Sequence, residues 1–181
     1  MTNERLLRQE DSNSINTRVL ADSKNKSARK LLPYSIILGS ACAIVGLTFS
    51  TIMEALFPAP DSPLAGEAIF KQDIFYVYFV ASIWGPLYET LIAQAMPVYL
   101  TTRLTQNQSI ALFMSATIFA VGHVMGGGGM IQMIVTFLYG LLFAHFYIKW
   151  KLDHGWKMAT GAVALAHGIN NTLILSAAKL S

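Results

Sequence analysis

The chain has 181 residues, 54% of them hydrophobic and 13% charged, a balance that excludes an ordinary soluble domain and reads as one membrane-embedded domain. The net charge of +3 is unevenly placed, since seven of the thirteen Lys and Arg fall in the first 32 residues; such a tail suits anionic lipid headgroups, and no nucleic-acid partner is expected. The single cysteine, Cys42, lies in an apolar run and can form no internal disulfide.

Residues 1–30 mix Asn, Ser, acids and bases without apolar periodicity, which predicts a mobile polar cytoplasmic segment with room for a short surface helix. From residue 31 onward the pattern is that of an all-α, polytopic transmembrane helical bundle of about five spans. The first, 31–53, is uncharged and follows Lys24, Lys26, Arg29 and Lys30; it reads as an uncleaved anchor rather than a signal peptide, with its N-terminal side in the cytoplasm. Residues 57–69 carry three prolines and no base, as an outer loop would, and Glu54 borders it at a span end.

The second run, 74–100, is longer than one span needs and contains Gly85-Pro86. Proline removes an intrahelical hydrogen bond and clashes with the preceding turn, so a kink or break is predicted there, with Glu89 in the first turn of the inner half. Thr105 or Asn107 can cap the next helix, 109–124, which ends in four glycines at 126–129. A helix over 130–147 leads to a basic loop with Lys149, Lys151 and Lys157, and a last span covers 158–178. The Lys and Arg bias places the N-terminus inside and the C-terminus outside.

At about 1.5 Å per residue, Glu89 lies roughly 21 Å above Arg103, His123 roughly 22 Å above Gln108, and His167 and Asn171 roughly 15 and 21 Å above Lys157. One carboxylate, two imidazoles and one amide thus share a layer on three helices, while His145 falls near the inner edge and His154 in the cytoplasmic loop. His167 and Asn171 are four apart and share a face; Phe119 sits one turn below His123. An ionisable group at this depth costs at least ~2.5 kcal/mol and needs partners, which makes Glu89 a site candidate. Tyr88, Tyr139, Trp84, Trp150 and Trp156 read as packing or interfacial anchors, and the small residues of the last span as close helix packing.

Such a cluster, without a deep serine or cysteine nucleophile, suits activation of water: Glu89 or His123 would take the proton, and a second His with Asn would donate to the developing oxyanion. Glu89, His123 and His167 could alternatively bind zinc, although no His-Glu-x-x-His is present. A non-enzymatic scaffold, or a proton or solute pathway lined by the same groups, stands beside the hydrolase reading.

Three short segments carry a resemblance. Glu89-Thr90-Leu91-Ile92-Ala93-Gln94, Phe119-Ala120-Val121-Gly122-His123 and His167-Gly168-Ile169-Asn170-Asn171 resemble, in order and on separate helices, the Glu-Glu-x-x-x-Arg, Phe-x-x-x-His and His-x-x-x-Asn motifs of the CPBP (Abi) family of intramembrane proteases, over about 75–178. That family includes CAAX prenyl endopeptidases and bacteriocin-processing or self-immunity proteins. The resemblance implies peptide-bond hydrolysis of a peptide or membrane-protein substrate, with Glu89 and His123 activating the water and His167 and Asn171 forming the oxyanion site. It implies no required cofactor, with zinc possible, and a multi-pass protein of the bacterial cell (inner) membrane. Thr90 and Gln94 stand where a second Glu and an Arg are usual; four apart, they could form a neutral hydrogen-bonded pair, leaving either an active enzyme or a relative that has lost proteolysis.

Overall fold

The computed structural model describes residues 3–56, 72–126 and 129–180, with side chains from Arg29 onward apart from Glu54 and Leu180. These residues form five helices and no strand, an all-α helical bundle. Helix α1 is Asn3–Leu56, α2 covers 74–105, α3 is Gln108–Met125, α4 is Met130–His154 and α5 is Trp156–Leu180. Helix α1 is already helical through the polar segment; its part up to Tyr34 forms one compact unit, and Ser35–Ser181 forms the other. The outer loop expected at 57–69, and Gly127 and Gly128 of the glycine run, lie outside the described residues.

The helix boundaries follow from local chemistry. Asp73 caps α2, its carboxylate accepting from the N–H groups of Phe75 and Tyr76 at 2.9 and 3.1 Å. Gln106 takes a left-handed conformation, φ 55°, and stops α2; Asn107 then caps α3 by accepting from Ser109 and Ile110. Gly155, at φ 85°, separates α4 from α5 in a region that side chains avoid.

Helix α3 lies along α4, α2 packs on α3, and α5 packs on both α4 and α2. The α3–α4 approach is close because a Cβ on Gly140 would come within 2.7 Å of the Ala116 Cα. From Ser35 onward α1 joins this bundle, where the Tyr139 hydroxyl donates to the Cys42 carbonyl at 2.6 Å. Phe119, Phe143, Ala144, Val163 and Ala166 are buried at its centre.

Three helical stretches are long and apolar enough to cross a membrane: Arg29–Met53, Gln108–Met125 and Met130–His154. The remaining two of the five helices, α2 and α5, are those that carry Glu89, His167 and Asn171. Changes of helical pitch divide α2, and the polar residues His167, Asn170 and Asn171 dilute α5.

Candidate active site

Of the kink or break expected at Gly85-Pro86, helix α2 shows no break. It passes through with right-handed helical angles at Gly85, Thr90 and Met96, because two π-helical segments, Val80–Trp84 and Thr90–Ala95, absorb its prolines. In each, the residue before the proline bonds five back rather than four: Gly85 N–H goes to the Val80 carbonyl and Met96 N–H to the Leu91 carbonyl. Glu89 closes the α-helical turn Gly85–Glu89 between the two and is not the start of a new helix.

This accommodation leaves carbonyls without their usual donors. Ala81 would bond to Gly85, which is spent on Val80, or to Pro86, which has no N–H. Asn171 of α5 supplies the donor, its Nδ2 lying 2.8 Å from the Ala81 oxygen. Ala93 would bond to Pro97, and there the Ser115 hydroxyl of α3 donates at 2.6 Å. The helices that carry His123 and His167 thus each send one side chain to grip α2 beside Glu89. Gly168 permits the approach of α5, since any Cβ there would collide with the Ser82 carbonyl oxygen.

Of the four residues expected to cluster, Asn171 is engaged with the Ala81 carbonyl and Asn170, and the other three meet at the Glu89 carboxylate. Its Oε2 is 3.7 Å from His123 Nε2 and 3.7 Å from His167 Nε2, and one ligand atom from each of the three residues can be chosen so that all lie within 4.8 Å of one another. His167 is buried, with a side chain 3% exposed, whereas His123 and Glu89 are 23% and 36% exposed. Within the half-open Glu89 side chain, Oε2 is itself buried without a hydrogen-bond partner. The site therefore has a closed wall at His167 and an open side at Glu89 and His123.

His123 Nδ1 lies 2.9 Å from the Phe119 carbonyl, which can only accept, so Nδ1 carries a proton; in its neutral form the ring then turns its Nε2 lone pair toward Glu89. Two acceptors at 3.7 Å need a proton-bearing group or a cation between them. Three ligands of a tetrahedral zinc at about 2.1 Å would lie roughly 3.4 Å apart. Three partners of one water at about 2.8 Å would lie roughly 4.6 Å apart. The two 3.7 Å distances lie nearer the first figure and the 4.8 Å limit nearer the second, so the site has room for a water, and the donor set also fits zinc chemically with a small approach of the imidazoles.

Aromatic rings shape the wall. Phe119 lies 4.5 Å from the His123 ring and 5.2 Å from that of His167, and Phe143 lies 5.3 Å from His167. Asn171 stands one turn beyond His167, with one N–H on Ala81 and its Oδ1 accepting from Asn170 Nδ2 at 3.0 Å. His145 packs on Phe146 away from the cluster.

Three features escape the sequence reading. Phe143 carries no polar group, Asn170 acts through its neighbour Asn171 on the same helix, and Ser115 matters only through a contact between helices. The hydrogen bond expected between Thr90 and Gln94 is absent: Gln94 Oε1 lies 2.7 Å from Ser115 Oγ, and the buried Thr90 hydroxyl has no partner. A serine on the facing helix competes successfully for the amide.

The family model for the type II CAAX prenyl endopeptidase Rce1-like family matches residues 71–173, more than half of the chain, a stretch that contains Glu89, His123, His167 and Asn171. No curated protein and no solved structure matches the chain. With its three short motifs brought to one place on three packed helices, the chain belongs to the type II CAAX prenyl endopeptidase Rce1-like family.

Proposed function

We propose that this protein is an active intramembrane endopeptidase that hydrolyses a peptide bond with a water activated by Glu89 and His123. The family is one of CAAX-type membrane proteases, whose substrate is a peptide in a membrane context. The observation that carries the proposal is the position of Glu89 Oε2, 3.7 Å from both Nε2 atoms.

A water between these groups would donate one hydrogen to Glu89 Oε2 and one to His123 Nε2, and accept from His167 if that ring holds its proton on Nε2. Attack on the scissile carbonyl transfers the water's proton to the Glu89–His123 pair. His167 Nε2–H and the second N–H of Asn171 then face the oxyanion, and the proton passes to the leaving amine as the intermediate collapses. No metal is required in this scheme. Zinc, if held by Glu89, His123 and His167, would supply Lewis-acid polarisation and a more acidic water.

The same reading has α1, α2, α3, α4 and α5 crossing the cell (inner) membrane of a bacterium, with a polar segment 1–30 in the cytoplasm before a membrane domain 31–181. An apolar groove of about 390 Å³ between α2 and α5, lined by Phe75, Phe79, Ile83, Leu165 and Ile169 together with Ser82 and Gly168, would in this reading offer a route for a membrane-borne substrate. The test is cleavage of a farnesylated peptide ending in Cys-aliphatic-aliphatic-X, and of a library of membrane-anchored peptides, by wild type and by Glu89→Ala in proteoliposomes. Cleavage confined to the wild type is expected.

One observation favours a second reading. Thr90 and Gln94, buried and neutral where the family pattern has charged residues, also fit a proteolytically inactive relative acting in bacteriocin self-immunity or as a partner-binding scaffold. Equal inactivity of wild type and Glu89→Ala across the library would decide for it.

A further inference from the structure

Ser115, Phe119 and His123 are spaced four apart along α3 and share one face, from which Ser115 and His123 reach α2. A helical serine or threonine commonly turns its hydroxyl back on its own helix, as Thr117 does on the Phe113 carbonyl at 2.9 Å. Ser115 does otherwise. Fully buried, it reaches across to α2, to the Ala93 carbonyl at 2.6 Å and the Gln94 side-chain oxygen position at 2.7 Å. That carbonyl is available because Pro97 has no N–H to give it.

One hydroxyl proton serves one acceptor at a time. With the Gln94 amide turned end for end, Nε2 donates to Ser115 Oγ while Oγ–H goes to the Ala93 carbonyl, and the buried amide nitrogen no longer lacks a partner. Either way the contact joins the helix of Glu89 to the helix of His123, between about one and two turns below the site. In antiparallel helices, side chains lean toward their own N-termini, so Glu89 rises from this joint and His123 descends to meet it.

We infer that Ser115 is a positioning residue: its hydroxyl, set on the Ala93 carbonyl and the Gln94 amide, holds the distance between Glu89 and His123. The inference rests on the hydrolytic reading given above for its consequence in catalysis, but not for the geometry it concerns. Asn171 on Ala81 is the corresponding hold from α5, so removing Ser115 frees only the α3 side.

The test uses full-length protein in proteoliposomes, with Ser115→Ala, Gln94→Leu and the double variant. Two readouts are taken: kcat and KM on the farnesylated peptide, and the rates at which His123 and His145 are carbethoxylated by diethyl pyrocarbonate. Misplacement of reacting groups by about 1 Å can cost on the order of a hundredfold, and a loosened joint should cost about tenfold in kcat with KM unchanged. The double variant should be no worse than Ser115→Ala, as two halves of one contact require. An unchanged kcat, or losses that multiply, overturns the inference. If Ser115→Ala does not fold, Gln94→Leu carries the same comparison from the other helix. If the wild type cleaves nothing, the hydrolytic reading fails and the histidines decide: a several-fold change at His123 with none at His145 upholds the positioning role, and no change at His123 ends it.

Discussion

In the hydrolytic reading proposed above, Glu89 and His123 act together as the base. The Phe119 carbonyl fixes the His123 tautomer, which in turn leaves two acceptors facing one small volume. Glu89→Gln keeps the shape and removes the carboxylate that would take the proton, so we expect cleavage to fall at least about a hundredfold with the thermal midpoint in detergent little changed. His145→Ala, remote from the cluster, should leave cleavage intact. If the water is activated without a metal, as proposed, dialysis against a chelator should leave activity unchanged; loss restored by added zinc would show that the imidazoles close on a metal instead. The buried, unpartnered Thr90 hydroxyl gives a stability test: Thr90→Val removes a desolvated polar atom at nearly constant volume and should be neutral or stabilising by up to about 1 kcal/mol. A clear loss of stability would mean that this hydroxyl has a partner.

At the scale of elements, the site depends on how closely α5 can approach α2. Gly168→Ala places a methyl group against the Ser82 carbonyl, which as backbone cannot turn aside, so the helices must separate. We expect a cost of roughly 1–3 kcal/mol and loss of cleavage, whereas Gly161→Ala, exposed and with open space at its Cβ, should change neither unfolding nor cleavage. The shared depth of Glu89, His123 and His167 was legible in the sequence because rise per residue accumulates predictably along a helix. So were the caps at Asn107 and the exclusion of His145. The course of α2 was not, since Pro86 announces a lost hydrogen bond without saying whether the chain will break or add a residue to the turn. Ser115 was invisible for a similar reason: its usual local bond and its actual cross-helix bond look the same in sequence. The only signal was Pro97, four residues after Ala93, which marks a carbonyl in need of a donor.

For the whole molecule, charge decides how the bundle would sit in a bilayer. Arg103 donates to the Tyr99 hydroxyl at 2.7 Å, and the Lys151 ammonium lies 5.9 Å from the same ring, so the basic ends of α2 and α4 meet at one face of the bundle. Lys149 and His145 lie along a shallow groove on that face with Gln108 and Ser109 of α3. Lys179 lies at the far end of α5, which begins beside Lys157. Cytoplasmic retention of Lys and Arg then predicts an orientation with the 149–157 segment inside and the segment around Asp61 and the C-terminus outside. Single cysteines at Asp61, Asp153 and Ser181 test it, since Cys42 is buried and should compete little for the reagent. In intact cells a membrane-impermeant maleimide should label Asp61→Cys and Ser181→Cys but reach Asp153→Cys only after permeabilisation. The opposite pattern would invert the bundle. Labelling of both Asp61→Cys and Asp153→Cys from outside would mean that α2, α3 and α4 do not make three crossings between them, and the half-open side of Glu89 would then face a different medium.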